Sequence, residues 1–194
     1  PHTFILIGRS GCGKGTQAKL LEASLLEKDP STEILYLETG VKFRDFITQN
    51  SYSSKLSSDI YKNAGLQPSF IAIYLWGRFL IEKFTGEEHL VIDGTPRYLD
   101  EAKALATAMD FYKLNPIVIY LDVSRQFSLD RMHERGRADD LKDGDIQKRL
   151  NWFDESVMPA VNFLKEDKRF KFVAIQGEQK IEEVHKEIVD KVFK

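Results

Sequence analysis

Short apolar runs alternate with longer helical segments along almost the whole chain, and few folds accommodate that order. Phe4-Ile5-Leu6-Ile7 is followed by a helical stretch at Gln17-Ala18-Lys19-Leu20-Leu21, and Glu33-Ile34-Leu35-Tyr36-Leu37 by Phe43 to Ile47. His89-Leu90-Val91-Ile92-Asp93 precedes an alanine-rich helix from Glu101 to Met109. Pro116-Ile117-Val118-Ile119-Tyr120-Leu121 precedes a helix from Ser124 to about Glu134. Phe170 to Ile175 precedes an amphipathic helix from Lys180 to Phe193. Runs this rich in Ile, Val and Leu suit strands buried on both faces of a parallel sheet. Such strands need helical crossovers, so the pattern predicts a three-layer α/β fold with a five-stranded parallel sheet and helices on both faces.

One stretch departs from the alternation. From Val41 to Phe84 only helical periodicity is visible, punctuated by Asn63-Ala64-Gly65 and Gln67-Pro68, which predicts an all-helical insertion between the second and third strands. The apolar residues Ile71 to Trp76, with Phe79 and Leu80, read as the core of that insertion; a partner interface is the alternative. A shorter irregularity, Arg135 to Asp140, lies between two helices.

The chain has 194 residues and ordinary apolar and charged fractions, enough for one domain with a sizeable core. Its formal net charge of −2 gives no global attraction to nucleic acid or anionic membrane, so a phosphate site must gather Arg and Lys locally. The one cysteine, Cys12, excludes a disulfide framework and a multi-cysteine zinc site. His2, His89, His133 and His185 lack metal-ligand spacing. No apolar run approaches the roughly 18 residues of a membrane helix. The first residues lead into a strand pattern without a basic leader, so a cytoplasmic location is expected.

Between the first strand and the first helix lies Gly8-Arg9-Ser10-Gly11-Cys12-Gly13-Lys14-Gly15-Thr16. Glycines let such a loop wrap phosphates with its N–H groups turned inward, and the helix that follows adds its positive dipole end. Lys14 supplies a mobile charge for the β- and γ-phosphates, and the Thr16 hydroxyl suits a phosphate or the Mg²⁺ shell. The candidate ATP-binding residues are therefore Gly11, Cys12, Gly13, Lys14, Gly15 and Thr16. The bland alternative is a tight strand-to-helix turn that happens to be rich in glycine. The common pattern puts Ser or Thr directly after the lysine, whereas here Gly15 intervenes. Cys12 has two readings: a redox-sensitive thiol at a helix terminus, or a small residue tolerated in a loop.

The string Gly13-Lys14-Gly15-Thr16-Gln17 resembles the loop of the adenylate kinase family of nucleoside monophosphate kinases, and the resemblance continues in order along nearly the whole chain. Glu38-Thr39-Gly40-Val41-Lys42-Phe43-Arg44 is similar to the family's Thr-Gly-Asp-x-x-Arg segment, which contacts the monophosphate, with Val41 in place of the Asp. Asp93-Gly94-Thr95-Pro96-Arg97 is similar to its Asp-Gly-Phe-Pro-Arg motif, with Thr95 in place of the Phe. Arg131, Arg135, Arg137, Asp139-Asp140 and Arg149 resemble its lid arginines and Asp-Asp pair, although Asp140 to Arg149 is one residue longer than the family spacing. Gly177 stands where the family's last strand gives way to a loop on the ATP adenine.

The resemblance implies a P-loop kinase fold with a core over 1–40, 85–130 and 150–194, a monophosphate-binding insertion over about 41–84 and a very short lid over about 131–149. It implies Mg²⁺-dependent, reversible phosphoryl transfer from ATP to a nucleoside monophosphate, AMP first; a UMP/CMP- or GMP-preferring enzyme is the alternative. The implied catalytic set is Lys14, Asp93, Arg97, Arg131, Arg137 and Arg149, with Asp93 orienting Mg²⁺ through its water shell. Arg131, Arg135, Gly177 and Gln179 join the loop in holding ATP. Thr39, Gly40, Arg44, Leu66, Gln67, Gly94, Arg97, Glu101, Arg137 and Arg149 hold the monophosphate. Asp139 and Asp140 read as helix caps, as partners of the lid arginines, or as both. The expected partners are ATP and the monophosphate, with no nucleic acid, no membrane and a monomeric chain.

Charge chemistry points the same way. Phosphoryl transfer between two nucleotides crowds negative phosphates into one cleft, and catalysis is mostly alignment and neutralisation. Arginine suits that work because its planar fork holds two phosphate oxygens. Base preference rests on two positions. Thr39 matches the family residue that contacts the adenine of AMP, where pyrimidine-preferring relatives carry a smaller side chain. Glu101 replaces the Gln that reads the AMP base, and an ionised carboxylate only accepts hydrogen bonds, which suits guanine or cytosine better. A solvent-facing Glu101 is the other reading; otherwise Glu101→Gln is expected to shift selectivity toward AMP.

Two other classes share parts of this pattern. A GTP-binding switch protein needs an Asn-Lys-x-Asp segment, which the chain lacks. A small-metabolite P-loop kinase more usually has Ser or Thr directly after the lysine, and lacks the Thr39 to Arg44 and Asp93 to Arg97 pair. A nucleotide sensor without activity leaves the full set of arginines unexplained.

Overall fold

A computed structural model describes residues 1–136 and 143–193 of the chain. Each apolar run forms a strand: β1 Thr3–Gly8, β2 Ile34–Glu38, β3 His89–Asp93, β4 Pro116–Asp122 and β5 Lys171–Gln176. The five lie parallel in one sheet in the order β2-β3-β1-β4-β5, with the first strand at the centre. Alternate residues of a strand face opposite sides, so each strand feeds both apolar layers. Ile5, Ile7, Leu90, Ile92 and Val118 join one core cluster with Phe43, Trp76, Leu80, Leu105, Phe153 and Leu164. Phe4, Leu6, Val91, Ile119 and Ile175 join the other with Leu21, Leu25, Val184 and Ile188.

The first helix, α1 Lys14–Lys28, and the last, α9 Ile181–Val192, cover the second of these layers. The other face carries α2 Thr39–Ile47, α4 Ser69–Lys83, α5 Leu99–Phe111 and α8 Met158–Glu166. Between β2 and β3 the chain is helical: α2, then α3 Tyr52–Lys62, started by a Ser51/Ser54 capping box, then α4. Ile71, Ala72, Trp76 and Leu80 of α4 are buried in the same cluster as the sheet residues. Among the described residues, the buried apolar side chains of α2 and α4 thus share the core of the sheet. Phe70, Tyr74 and Ile81 lie exposed on α4.

Toward the C-terminus, α6 Arg125–Arg135 is capped by Ser124, whose hydroxyl accepts from the Phe127 N–H. Helix α7 Asp143–Trp152 then runs through a π-helical turn, Phe153–Val157, into α8. Pro159, in the first turn of α8, has no N–H to continue a regular ladder, which accounts for the widened turn before it. Arg137, Asp139 and Asp140, named from the sequence as lid residues, lie outside the described residues.

Candidate active site

The carboxyl ends of β1 and β3 and the start of α1 open into one cleft of about 860 Å³. It lies where an open parallel sheet ordinarily binds its ligand, at the reversal of strand order beside the first strand. Gly11 and Gly13 have φ of 82° and 93°, backbone that a side chain rarely allows, and Gly13 is the residue before α1. No side chain caps α1, so its first N–H groups stay available to an anion. A Cβ at Gly8 would lie 2.8 Å from both Cys12 Sγ and the Leu121 carbonyl, which fixes glycine at the strand exit. The Lys14 ammonium folds over the loop and donates to the carbonyls of Gly8 at 2.7 Å and Arg9 at 2.9 Å.

Asp93 ends β3 beside this loop and is buried. Burial pushes its carboxyl above the usual carboxylate range, against the opposing pull of the Lys14 charge and of Tyr36, whose hydroxyl donates to Asp93 Oδ2 at 3.1 Å. Glu38 ends β2 in register with Asp93. Its Oε1 accepts from Arg44 Nη2 at 3.0 Å, and both side chains line the cleft. Gly40 lies under that pair: a Cβ there would come within 3.3 Å of Arg44 Nη1.

The segment after β3 turns through Gly94, with φ of 82°, and a cis peptide bond between Thr95 and Pro96. Arg97 Nε donates to the Gly94 carbonyl at 2.9 Å, and its guanidinium lies 6.0 Å from the Trp152 ring centre. Burial works against the Arg97 charge, while Glu101 and Asp93 support it. Trp152 Nε1 donates to the Ala64 carbonyl at 3.3 Å and Lys148 Nζ to that of Asn63 at 3.1 Å, so α7 clasps the end of α3 within the helical insertion.

The cleft lining gathers most of the residues named from the sequence. Gly11, Gly13, Lys14, Gly15 and Thr16 line it, as do Gly40, Arg44, Gln67, Asp93, Gly94, Arg97, Arg131, Arg135 and Arg149. Others lie elsewhere. Cys12 is buried beneath the loop, and Leu66 is absent from the lining. Gln67 does line the cleft, but its amide is tied to Ser57: Oε1 accepts from the Ser57 hydroxyl at 2.6 Å and Nε2 donates to the Ser57 carbonyl at 2.9 Å. Thr39 is fully buried, and its hydroxyl has no hydrogen-bond partner among the described residues. Gly177 packs where a Cβ would meet Val123 and the Asp122 carbonyl, and Gln179 bonds to Gln176 and Glu187; neither lines the cleft.

Glu101 corrects an expectation. Instead of facing a base or the solvent, its carboxylate is completely buried, accepting from the Thr95 hydroxyl at 2.6 Å and the Arg97 N–H at 2.7 Å. Burial pushes this carboxyl up, and those same bonds oppose the shift. The two departures from the family pattern, Thr95 and Glu101, are thus each other's partners. Tyr36 and Glu38 were missed as site residues, although they sit three and one positions before Thr39; the pairing of β2 on β3 sets Glu38 opposite Asp93 and lets the Tyr36 hydroxyl reach it.

A glycine loop and an uncapped helix facing clustered arginines at the mouth of a parallel sheet define a phosphate-loop phosphotransferase. A sequence model of the family described as Adenylate kinase matches residues 6–169. An adenylate kinase of Flavobacterium psychrophilum is 28% identical over 190 residues, covering 95% of each chain. One of Corynebacterium urealyticum is 31% identical over 163 residues, covering 82% of this chain and 84% of its own. A uridylate kinase of Saccharomyces cerevisiae is 25% identical over 194 residues, covering 97% and 89%. The chain belongs to the adenylate kinase family. No helix among the described residues is long and apolar enough to cross a membrane.

Proposed function

We propose that this chain moves the terminal phosphoryl group of ATP reversibly onto AMP, yielding two ADP. The observation that carries the reading is the composition of one cleft. Lys14 and the free N–H groups of α1 suit a triphosphate, while Arg44, Arg97 and Arg149 in the same lining suit a second phosphate. In this layout the core spans 1–40, 85–130 and 150–194, the monophosphate flap about 41–84 and the lid about 131–149. Lys14 follows the charge on the transferred group, Arg131 and Arg135 hold ATP from the lid stem, and Arg97 aligns the acceptor. Closure of flap and lid keeps water from taking the phosphoryl group.

Mg²⁺ fits the donors present. No cluster of three or more metal-ligating side chains occurs among the described residues. One carboxylate, Asp93, in the same cleft lining as Thr16 suits an ion that keeps waters and phosphate oxygens as its main ligands. When bound with ATP, the ion neutralises phosphate charge and orients the triphosphate.

The test is ATP-dependent phosphorylation of AMP, GMP, CMP and UMP in parallel, with and without Mg²⁺. AMP is expected to react fastest, and failure with all four sinks the reading. A second reading, broad use of acceptor bases, draws on the internal position of Glu101, which removes a polar base reader from the cleft. Comparable kcat/KM for several acceptors would select it.

A further inference from the structure

Arg9 lies in the phosphate loop directly after Gly8, yet its side chain is mostly buried, with 16% of its surface exposed. Its Nη2 meets Asp154 Oδ1 at 2.5 Å, and the guanidinium lies 4.6 Å from the centre of the Phe153 ring. Its Nε and Nη1 are buried with no hydrogen-bond partner among the described residues, and Asp154 is the carboxylate that offsets the desolvation of this charge. The other oxygen of Asp154 accepts from Arg125 Nη1 at 3.0 Å. Arg125 opens α6, and its Nη2 donates to Gln147 at 2.8 Å and Asn151 at 2.7 Å on α7. One carboxylate on the π-helical turn therefore ties the phosphate loop to both helices that flank residues 136–142.

The main chain of Arg9 completes the link. Its carbonyl accepts from Lys14 Nζ at 2.9 Å and from the Cys12 N–H at 3.2 Å. A shift of the Arg9 side chain moves the peptide on which the loop lysine rests. We propose that Arg9, acting through Asp154, is a positioning residue that sets the phosphate loop for ATP and couples it to the lid stems α6 and α7. The inference rests on the kinase reading above for its kinetic consequences. Its binding consequence stands apart from the acceptor.

The experiment uses the full chain carrying Arg9→Ala, Arg9→Lys, Asp154→Asn and the Arg9→Ala/Asp154→Asn pair. Binding of a non-hydrolysable ATP analogue is measured by calorimetry, and steady-state kinetics are measured with ATP and AMP. Each of the two disruptive single changes is expected to weaken analogue binding and raise KM for ATP by about tenfold, with KM for AMP within about twofold of wild type. Arg9→Lys restores most of the loss, and the pair is no worse than the worse single change, as groups acting through one contact require. Unchanged analogue binding, a parallel rise of both KM values, or additive losses in the pair would overturn the proposal. If Arg9→Ala does not fold, Asp154→Asn against Arg9→Lys decides it by the same measurements. A wild-type chain that binds the analogue but phosphorylates no monophosphate would sink the kinase reading; the analogue-binding comparison would still judge Arg9.

Discussion

In the half of the cleft built on the glycine loop, the groups from Gly8 to Thr16 come from nine consecutive residues. Their geometry follows from local rules: glycines at positive φ, an uncapped helix start and a lysine folded onto its own loop. In the other half, Arg44, Glu38, Tyr36, Asp93, Arg97 and Arg149 come from β2, α2, β3, the turn into α5, and α7. They reach one another through pairs distant in sequence, such as Tyr36 with Asp93 and Trp152 with Ala64. The difference separates chemistry fixed by local sequence from chemistry set by partners. A substitution in the first half removes a function directly, whereas in the second half its effect depends on what the side chain was holding.

The sharpest break of this comparison is Lys14→Met. Among the described residues Lys14 is hydrogen-bonded only to atoms of its own loop, so the loss is expected to fall on transition-state charge rather than on folding. We expect kcat to drop by about 10²–10³-fold with the unfolding midpoint nearly unchanged. Turnover retained at the wild-type level would remove the loop lysine from the chemistry. Next comes Glu101→Ala in the partner-built half. It leaves the Thr95 hydroxyl and the Arg97 N–H without their acceptor, which is expected to cost about 2–4 kcal/mol in urea unfolding. KM for AMP should rise as well, because Arg97 follows the turn. A stability loss with no change in that KM would cut the link from Glu101 to Arg97.

What was legible in the sequence follows the same division. The strand runs, the helical insertion and the phosphate loop are local patterns, and the structure has them with boundaries shifted by a few residues. Glu101 was legible as a position but not in its role. Its one-residue difference from the family pattern read as a change in base recognition, because sequence order does not reveal that Thr95, six residues earlier, turns its hydroxyl back onto it. Glu38 was overlooked for a related reason: Glu38 and Asp93 are 55 positions apart and adjacent only through the sheet register. Arg9 drew no role from the sequence, since its partner Asp154 sits on a π-helical turn that no periodicity announces.

A smaller effect is expected from Glu38→Gln. The pair with Arg44 is half exposed, at 36% and 43% of side-chain surface, so its contribution is no more than about 1 kcal/mol. Removing the negative charge leaves Arg44 for the incoming phosphate alone. KM for AMP should fall by up to about fivefold, with kcat and KM for ATP unchanged. A rise would mean that Glu38 itself touches the acceptor.

The smallest effect expected is also the most discriminating, and it is Glu101→Gln. If Glu101 read the base, the amide would alter the ranking of AMP, GMP, CMP and UMP, since Gln both donates and accepts. The geometry gives the opposite expectation. Gln Oε1 can take the Arg97 N–H, and its amide N–H can donate to the Thr95 oxygen, because a hydroxyl serves in either role. Both internal bonds survive, and the burial that pushes the Glu101 carboxyl up no longer acts on a charge. Stability should therefore hold or rise slightly, and relative kcat/KM for the four acceptors should stay within about twofold. A clear shift of that ranking toward AMP would place the side chain back at the base, and the contrast between Glu101→Ala and Glu101→Gln would then have to be explained at the substrate rather than beneath Arg97.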